Sequence, residues 1–137
     1  MRLLSGPGRR RDRGVEPGLG HGLITQADLD QYRTREIPPV ECDDRGYGIV
    51  SAPPPSSGGV VICEILNLLE GYPMKALGFR SAQAVQYQIE AMRHAYVDRN
   101  NDLGDPDFVT NPIERLLDKR YAAQIRAVID PSRSPTR

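Results

Sequence analysis

The chain has 137 residues, 39% of them apolar, with no Trp, two Phe and six Tyr, enough for one modest domain with a thin core. Its 18 Lys and Arg balance 18 Asp and Glu, so no net charge draws it toward nucleic acid or an anionic membrane. No apolar run approaches the ~18 residues of a membrane span, and Met1–Leu4 runs into Gly, Pro and Arg instead of the apolar stretch of a secretory signal.

Residues 1–17 read as an Arg/Gly-rich leader. Arg9, Arg10, Arg11 and Arg13 stand among glycines and prolines, with no basic helix or interleaved aromatics to make a nucleic-acid arm, and disorder is expected. Foldable texture begins at His21. Thr25 is a candidate N-cap with Asp28 as its box partner, ahead of a short helix over Ala27–Tyr32 that Pro38-Pro39 stops from extending. Two extended runs, near 39–43 and 46–52, flank the turn formers Asp43 to Gly46 and predict a β-hairpin. Pro53, Pro54 and Pro55 predict a stiff extended link.

Val60 to Glu70 predicts a helix capped by a Ser and apolar on most sides, with Glu64, Asn67 and Glu70 on a narrow polar strip. Such a helix is built to be buried between other elements. Gly71 ends it and Pro73 blocks its resumption. The longest helix is expected from Ser81 to about Asn100. Val85, Ile89, Met92 and Tyr96 form its core stripe, Ala84, Ala91 and Ala95 a small-residue flank, and Glu90 pairs with Arg93 or His94 on the exposed side. After a loop over 101–107, Asn111 is the expected cap of a last helix or helix pair, with Pro112 at its first position and Glu114 as box partner. Leu116, Leu117, Tyr121, Ile125, Val128 and Ile129 supply its apolar face. Pro131 ends it, and residues 131–137 are expected to be a disordered tail.

Candidate chemistry is sparse. Ser56-Ser57-Gly58-Gly59 has the make-up of an anion cradle at a helix N-terminus, but lacks the phosphate-loop spacing and reads better as a cap. Asp98, Asp102, Asp105 and Asp107 gather near one loop without calcium-loop spacing. A helix end and tight turn explain them, with Asp98 paired to Arg99. His94 lacks a second ligand or a nearby nucleophile. Cys42 and Cys63 cannot form a disulfide framework and read as small apolar fillers rather than nucleophiles. His21 and His94 lie far apart, so no zinc site is expected. No catalytic, cofactor-binding or metal residue is assigned, and substrate-binding residues are unknown. The residues alone reach a small α+β piece.

Longer stretches carry more. Gly22-Leu-Ile-Thr-Gln-Ala-Asp-Leu-Asp-Gln-Tyr32 is followed by Tyr47-Gly-Ile-Val-Ser-Ala-Pro-Pro-Pro-Ser-Ser-Gly-Gly59 and Ile65-Leu-Asn-Leu-Leu-Glu-Gly71. Then come Glu90-Ala-Met-Arg-His-Ala-Tyr-Val-Asp-Arg99 and Leu103-Gly-Asp-Pro-Asp-Phe108. This succession, over roughly residues 18–130, resembles the C-terminal part of the large chain of γ-glutamyltranspeptidases. The resemblance implies a mostly helical α+β fragment with a short β-hairpin, part of the αββα sandwich of an N-terminal-nucleophile hydrolase. It implies a precursor that cleaves itself, and a nucleophilic threonine opening the small chain, whose own α-amine is its base. That threonine transfers the γ-glutamyl group of glutathione and related amides to water, amino acids or peptides.

The resemblance places that threonine beyond Arg137 and the carboxylate-gripping arginine upstream of the match, a role the Arg9–Arg13 cluster does not fill. The expectation is therefore a segment inactive alone, with Ser56–Gly59 as structural support. Its partners would be the catalytic small chain and the remainder of the large chain. A periplasmic or extracellular location follows from the resemblance only. The alternatives are a fragment of a related acylase acting on β-lactam side chains, and a non-catalytic helical module that docks through helix 60–70.

Overall fold

The computed structural model describes residues 24–130; the expected leader 1–17 and tail 131–137 lie outside the described residues. Two compact units divide the chain at Glu36/Ile37. In the first, helix α1 (Gln26–Gln31) begins as its sequence requires. Thr25 Oγ1 accepts the Asp28 N–H at 3.2 Å and Asp28 Oδ2 accepts the Thr25 N–H at 2.6 Å, a reciprocal capping box.

The second unit is helical with one antiparallel hairpin, an α+β arrangement. Strands β1 (Val40–Asp44) and β2 (Tyr47–Ser51) pair with Cys42 opposite Ile49. The two-residue turn has positive φ at both positions, Arg45 at 48° and Gly46 at 87°, which fits the twist of a tight hairpin. The proline run does not stay extended. The Pro54–Pro55 peptide is cis, and a turn closes with the Ser56 N–H donating to Pro53 O at 3.1 Å.

Helix α2 (Gly58–Glu70) lies at the centre and packs on the hairpin and on three later helices, α4 (Ala82–Asp102), α5 (Ile113–Leu116) and α6 (Lys119–Val128). Its burial among other elements was expected. Its polar strip, however, is not solvated, because Glu64 and Asn67 are on the buried side while Ile62 faces out. Asn67 Nδ2 donates to Leu117 O at 2.9 Å, and Arg126 donates to Asn67 O at 2.7 Å, so this strip ties α2 to the C-terminal helices. No serine side chain caps α2. Pro73 does not simply stop the chain: it precedes a one-turn helix, α3 (Met74–Leu77), that the sequence did not suggest.

Two small cores result. Val40, Val60, Cys63 and Leu116 form one, and Leu68, Ala91, Ala122 and Ile125 the other. Tyr121 touches both. Tyr72 and Tyr87 stack with ring centroids 3.8 Å apart.

The cysteines correct their reading as fillers. Cys42 on β1 and Cys63 on α2 form a disulfide, because the hairpin packs on that helix and brings their Cα atoms to 6.0 Å. Helix α4 brings a second correction. Its buried face is Ala84, Tyr87, Glu90, Ala91 and Ala95, and the expected core stripe is largely bare: Val85 is 39% exposed, Ile89 51%, Met92 48% and Tyr96 50%. The two stripes differ by one residue, about 100° around the helix. Alanines let α4 approach α2 closely, and the larger side chains are left half-exposed. Glu90 moves with them: it is 2% exposed, and Arg93 donates to its Oε2 at 2.7 Å from the rim.

Candidate functional site

Where the N-terminus of α2 meets the C-terminus of α4, Pro54, Pro55, Ser57, Arg99, Asn100, Leu103, Gly104 and Asp105 line a shallow cleft of about 260 Å³. It gathers the Pro-Ser-Gly stretch and the acidic loop that the sequence singled out. Ser57 does not act as a cap. Its Oγ accepts from Arg99 Nε at 3.0 Å, and Arg99 Nη1 donates to Asn100 Oδ1 at 2.8 Å. Arg99 therefore serves the helix junction and is not paired to Asp98.

A serine hydroxyl facing a guanidinium has no base to activate it. Gly59 serves packing: a Cβ there would collide with Ala52 O and Ser51 on the hairpin. The Ser-Gly stretch thus lets β2 and α2 close together.

The loop beyond α4 is held by backbone and side-chain bonds. Asn111 caps no helix. Its side chain accepts the Gly104 N–H at 2.8 Å and donates to Gly104 O at 3.1 Å, and Pro112 takes the cap position of α5. Asp105 Oδ1 accepts the Asp107 N–H at 2.9 Å, and Asp102 pairs with Arg115 at 2.6 Å. The carboxylates are thus spread over separate partners.

Behind the cleft is a cluster that the sequence reading missed. Glu64, 1% exposed, faces Asp98 on α4, which accepts the Tyr121 hydroxyl at 2.6 Å. Arg115 spans Asp102 and the Tyr121 ring, 4.9 Å from its centroid. Burial first, then the hydrogen bond and charge of Asp98, push the Glu64 carboxyl up to about 8. Burial, then Asp98, also raises the Tyr121 hydroxyl. The one signal in the sequence was an acid in mid-helix amid the apolar residues of α2. His94 is held below its ordinary value, first by burial and then by Arg93, whose Nη2 lies 3.3 Å from its Nε2. Of the two partners expected for Glu90, Arg93 and His94, it takes Arg93. These groups brace helices against one another, and the hydroxyl that meets a carboxylate there, Tyr121 on Asp98, ties α6 to α4.

The chain matches the sequence profile described as gamma-glutamyltranspeptidase over residues 13–137. It is 75% identical over 115 residues to a glutathione hydrolase proenzyme of Pseudomonas sp. (strain A14), covering 84% of this chain and 20% of that protein. It is 50% identical over 108 residues to the acylase ACY 1 proenzyme of Pseudomonas sp. (strain V22), covering 79% of this chain and 19% of that one. The fold superposes on the crystal structure of Helicobacter pylori gamma-glutamyltranspeptidase with a TM-score of 0.80 at 41% identity, over 83% of this chain and 33% of that chain. The chain thus spans about a fifth of the length of the curated relatives it matches. With the matched profile running through α1, the hairpin and every later helix, this chain belongs to the γ-glutamyltranspeptidase family.

Proposed function

We propose that this chain is a scaffold segment from the large chain of an autoprocessed N-terminal-nucleophile enzyme that transfers or hydrolyses γ-glutamyl groups such as that of glutathione. In this reading it contributes no catalytic residue. The nucleophilic threonine comes from the small chain, and α2, α4 and the hairpin form part of an αββα sandwich that the remainder of the protein completes. The complete enzyme would work in the periplasm or outside the cell, where the Cys42–Cys63 disulfide persists.

The observation that carries the proposal is the outer face of α4. Val85, Ile89, Met92 and Tyr96, half-exposed in one stripe, are more apolar surface than a helix at a finished boundary leaves in water. The family relationship supplies the partner: the rest of the same precursor. The test is to assay the purified 137-residue chain for hydrolysis of a γ-glutamyl anilide. No turnover is expected, and turnover by this chain alone would overturn the reading.

A second reading has one observation in its favour, the 50% identity to a protein named as an acylase. In that reading the completed enzyme acts on β-lactam side chains. Small-chain pocket residues decide between the two, so the completed enzyme offered both substrates separates them. A third reading, a non-catalytic docking module, would gain from an assembled complex without turnover.

A further inference from the structure

Among the groups that the proposed function leaves unused, Glu64 is the one whose surroundings are least compatible with its usual state. It is in the middle of α2 with 1% of its surface exposed, and its Oε1 has no hydrogen-bond partner. The titratable and charged groups around it come from three elements. Asp98 and Asp102 are on α4, Arg115 on α5, and Tyr121 on α6 reaches Asp98. The one cation among them, Arg115, is engaged 2.6 Å from Asp102. An ionised Glu64 would therefore be a buried carboxylate facing a second carboxylate with no donor of its own, an arrangement that burial penalises heavily. Tyr121 already donates its hydroxyl hydrogen bond to Asp98, so the remaining donor that can close the contact is Glu64 itself.

We propose that Glu64 holds a proton in the folded chain and donates it to Asp98, so that this single proton fastens α2 to α4 and its loss loosens the junction. The proposal does not depend on the enzymatic reading. It makes the packing of the central helix weaken as pH rises from acidic conditions toward about 8. The sign follows from linkage. An unfolded glutamate ionises near 4.5, whereas the folded one ionises near 8. Between those values the folded state binds the extra proton, so stability falls as pH rises and levels off above about 8. Each pH unit in the window lowers the folding equilibrium constant by up to about tenfold.

The isosteric variant Glu64→Gln keeps a donor toward Asp98 and has nothing to ionise. Urea unfolding of the 137-residue chain and of Glu64→Gln, followed by helix circular dichroism from about pH 5 to 9, isolates the effect. His94 and the surface carboxylates titrate in both proteins and cancel in the difference. The expected result is a stability advantage of Glu64→Gln over wild type that grows with pH and levels off near 8. A second variant, Asp98→Asn, should move the wild-type fall to lower pH by removing the facing charge. If Glu64→Gln does not fold, the wild-type chain still decides the matter. A protonated-carboxyl C=O stretch should persist in its difference infrared spectrum at pH 7 and disappear on unfolding. A difference between Glu64→Gln and wild type that is flat across pH, or no protonated carboxyl at pH 7, would overturn the proposal.

Discussion

At the scale of single residues, the chain depends on a few positions where one atom decides the packing. Cys42 and Cys63 join β1 to α2 across 21 residues. Closing a loop of that length restrains the unfolded chain by about 3 kcal/mol in the chain-entropy account. Reduction should lower unfolding stability by about that amount. Urea midpoints with and without reductant, paired with a thiol titration that finds no free cysteine in the unreduced unfolded chain, check it. Unchanged midpoints on full reduction would mean the disulfide does little here.

Gly59 is as exacting for a different reason. Its missing Cβ is where Ala52 O and Ser51 of the hairpin come close. Gly59→Ala should push the hairpin from α2 and destabilise by about 1–3 kcal/mol, the usual range for overpacking. Gly58→Ala is the control, since its nearest neighbour would be Ser56 Oγ at 3.6 Å, an ordinary contact. Helix propensity alone would make both changes mildly stabilising, so a loss confined to Gly59 marks the collision, and equal losses at both positions would contradict it.

At the scale of elements, α2 and α4 explain what the sequence did and did not disclose. The hairpin, α1 and the long helices were legible because their signals are local. Thr25 with Asp28 makes a box, Asp44-Arg-Gly46 makes a tight turn, and Ser81, where the longest helix was expected to start, accepts the Ala84 N–H on its Oγ at 3.1 Å. What failed was the choice of face on α4. Periodicity finds apolar stripes but does not rank them. The stripe of Ala84, Ala91 and Ala95 is buried because small side chains permit the closest approach to α2, and the stripe of Val85, Ile89, Met92 and Tyr96 is not. The disulfide was illegible for a related reason: pairing Cys42 with Cys63 requires knowing that β1 folds onto α2. The Glu64–Asp98–Tyr121 cluster needed three helices in place before its members met.

The bare stripe makes its own prediction. Ile89→Asp puts a charge on a half-exposed side chain, so the isolated chain should lose less than about 0.5 kcal/mol, as surface substitutions usually do. If that face is instead packed in a larger assembly, the same change buries an unpaired charge and should block association. Thermal unfolding of the isolated variant checks the first half. A large loss there would place Ile89 in this chain's own core.

At the scale of the whole molecule, two small cores, a central helix with a polar buried strip and a half-exposed apolar face describe a piece that is internally organised but apolar on one side. The candidate site shows the same character. Ser57 answers to Arg99, Asn111 to Gly104 and Asp102 to Arg115, each bond bracing one segment against another. The Ser-Gly and Leu-Gly-Asp-Pro-Asp-Phe stretches that carried the family resemblance thus lie at the fold's junctions.

Reconstitution tests that account most directly. The 137-residue chain is co-produced with the remaining segments of a γ-glutamyltranspeptidase precursor, and γ-glutamyl anilide hydrolysis is measured for the chain alone, for the complement alone and for both together. The account predicts turnover only in the mixture, and its loss when the chain carries Ile89→Asp. Turnover by the chain alone, or a mixture indifferent to Ile89→Asp, would contradict it.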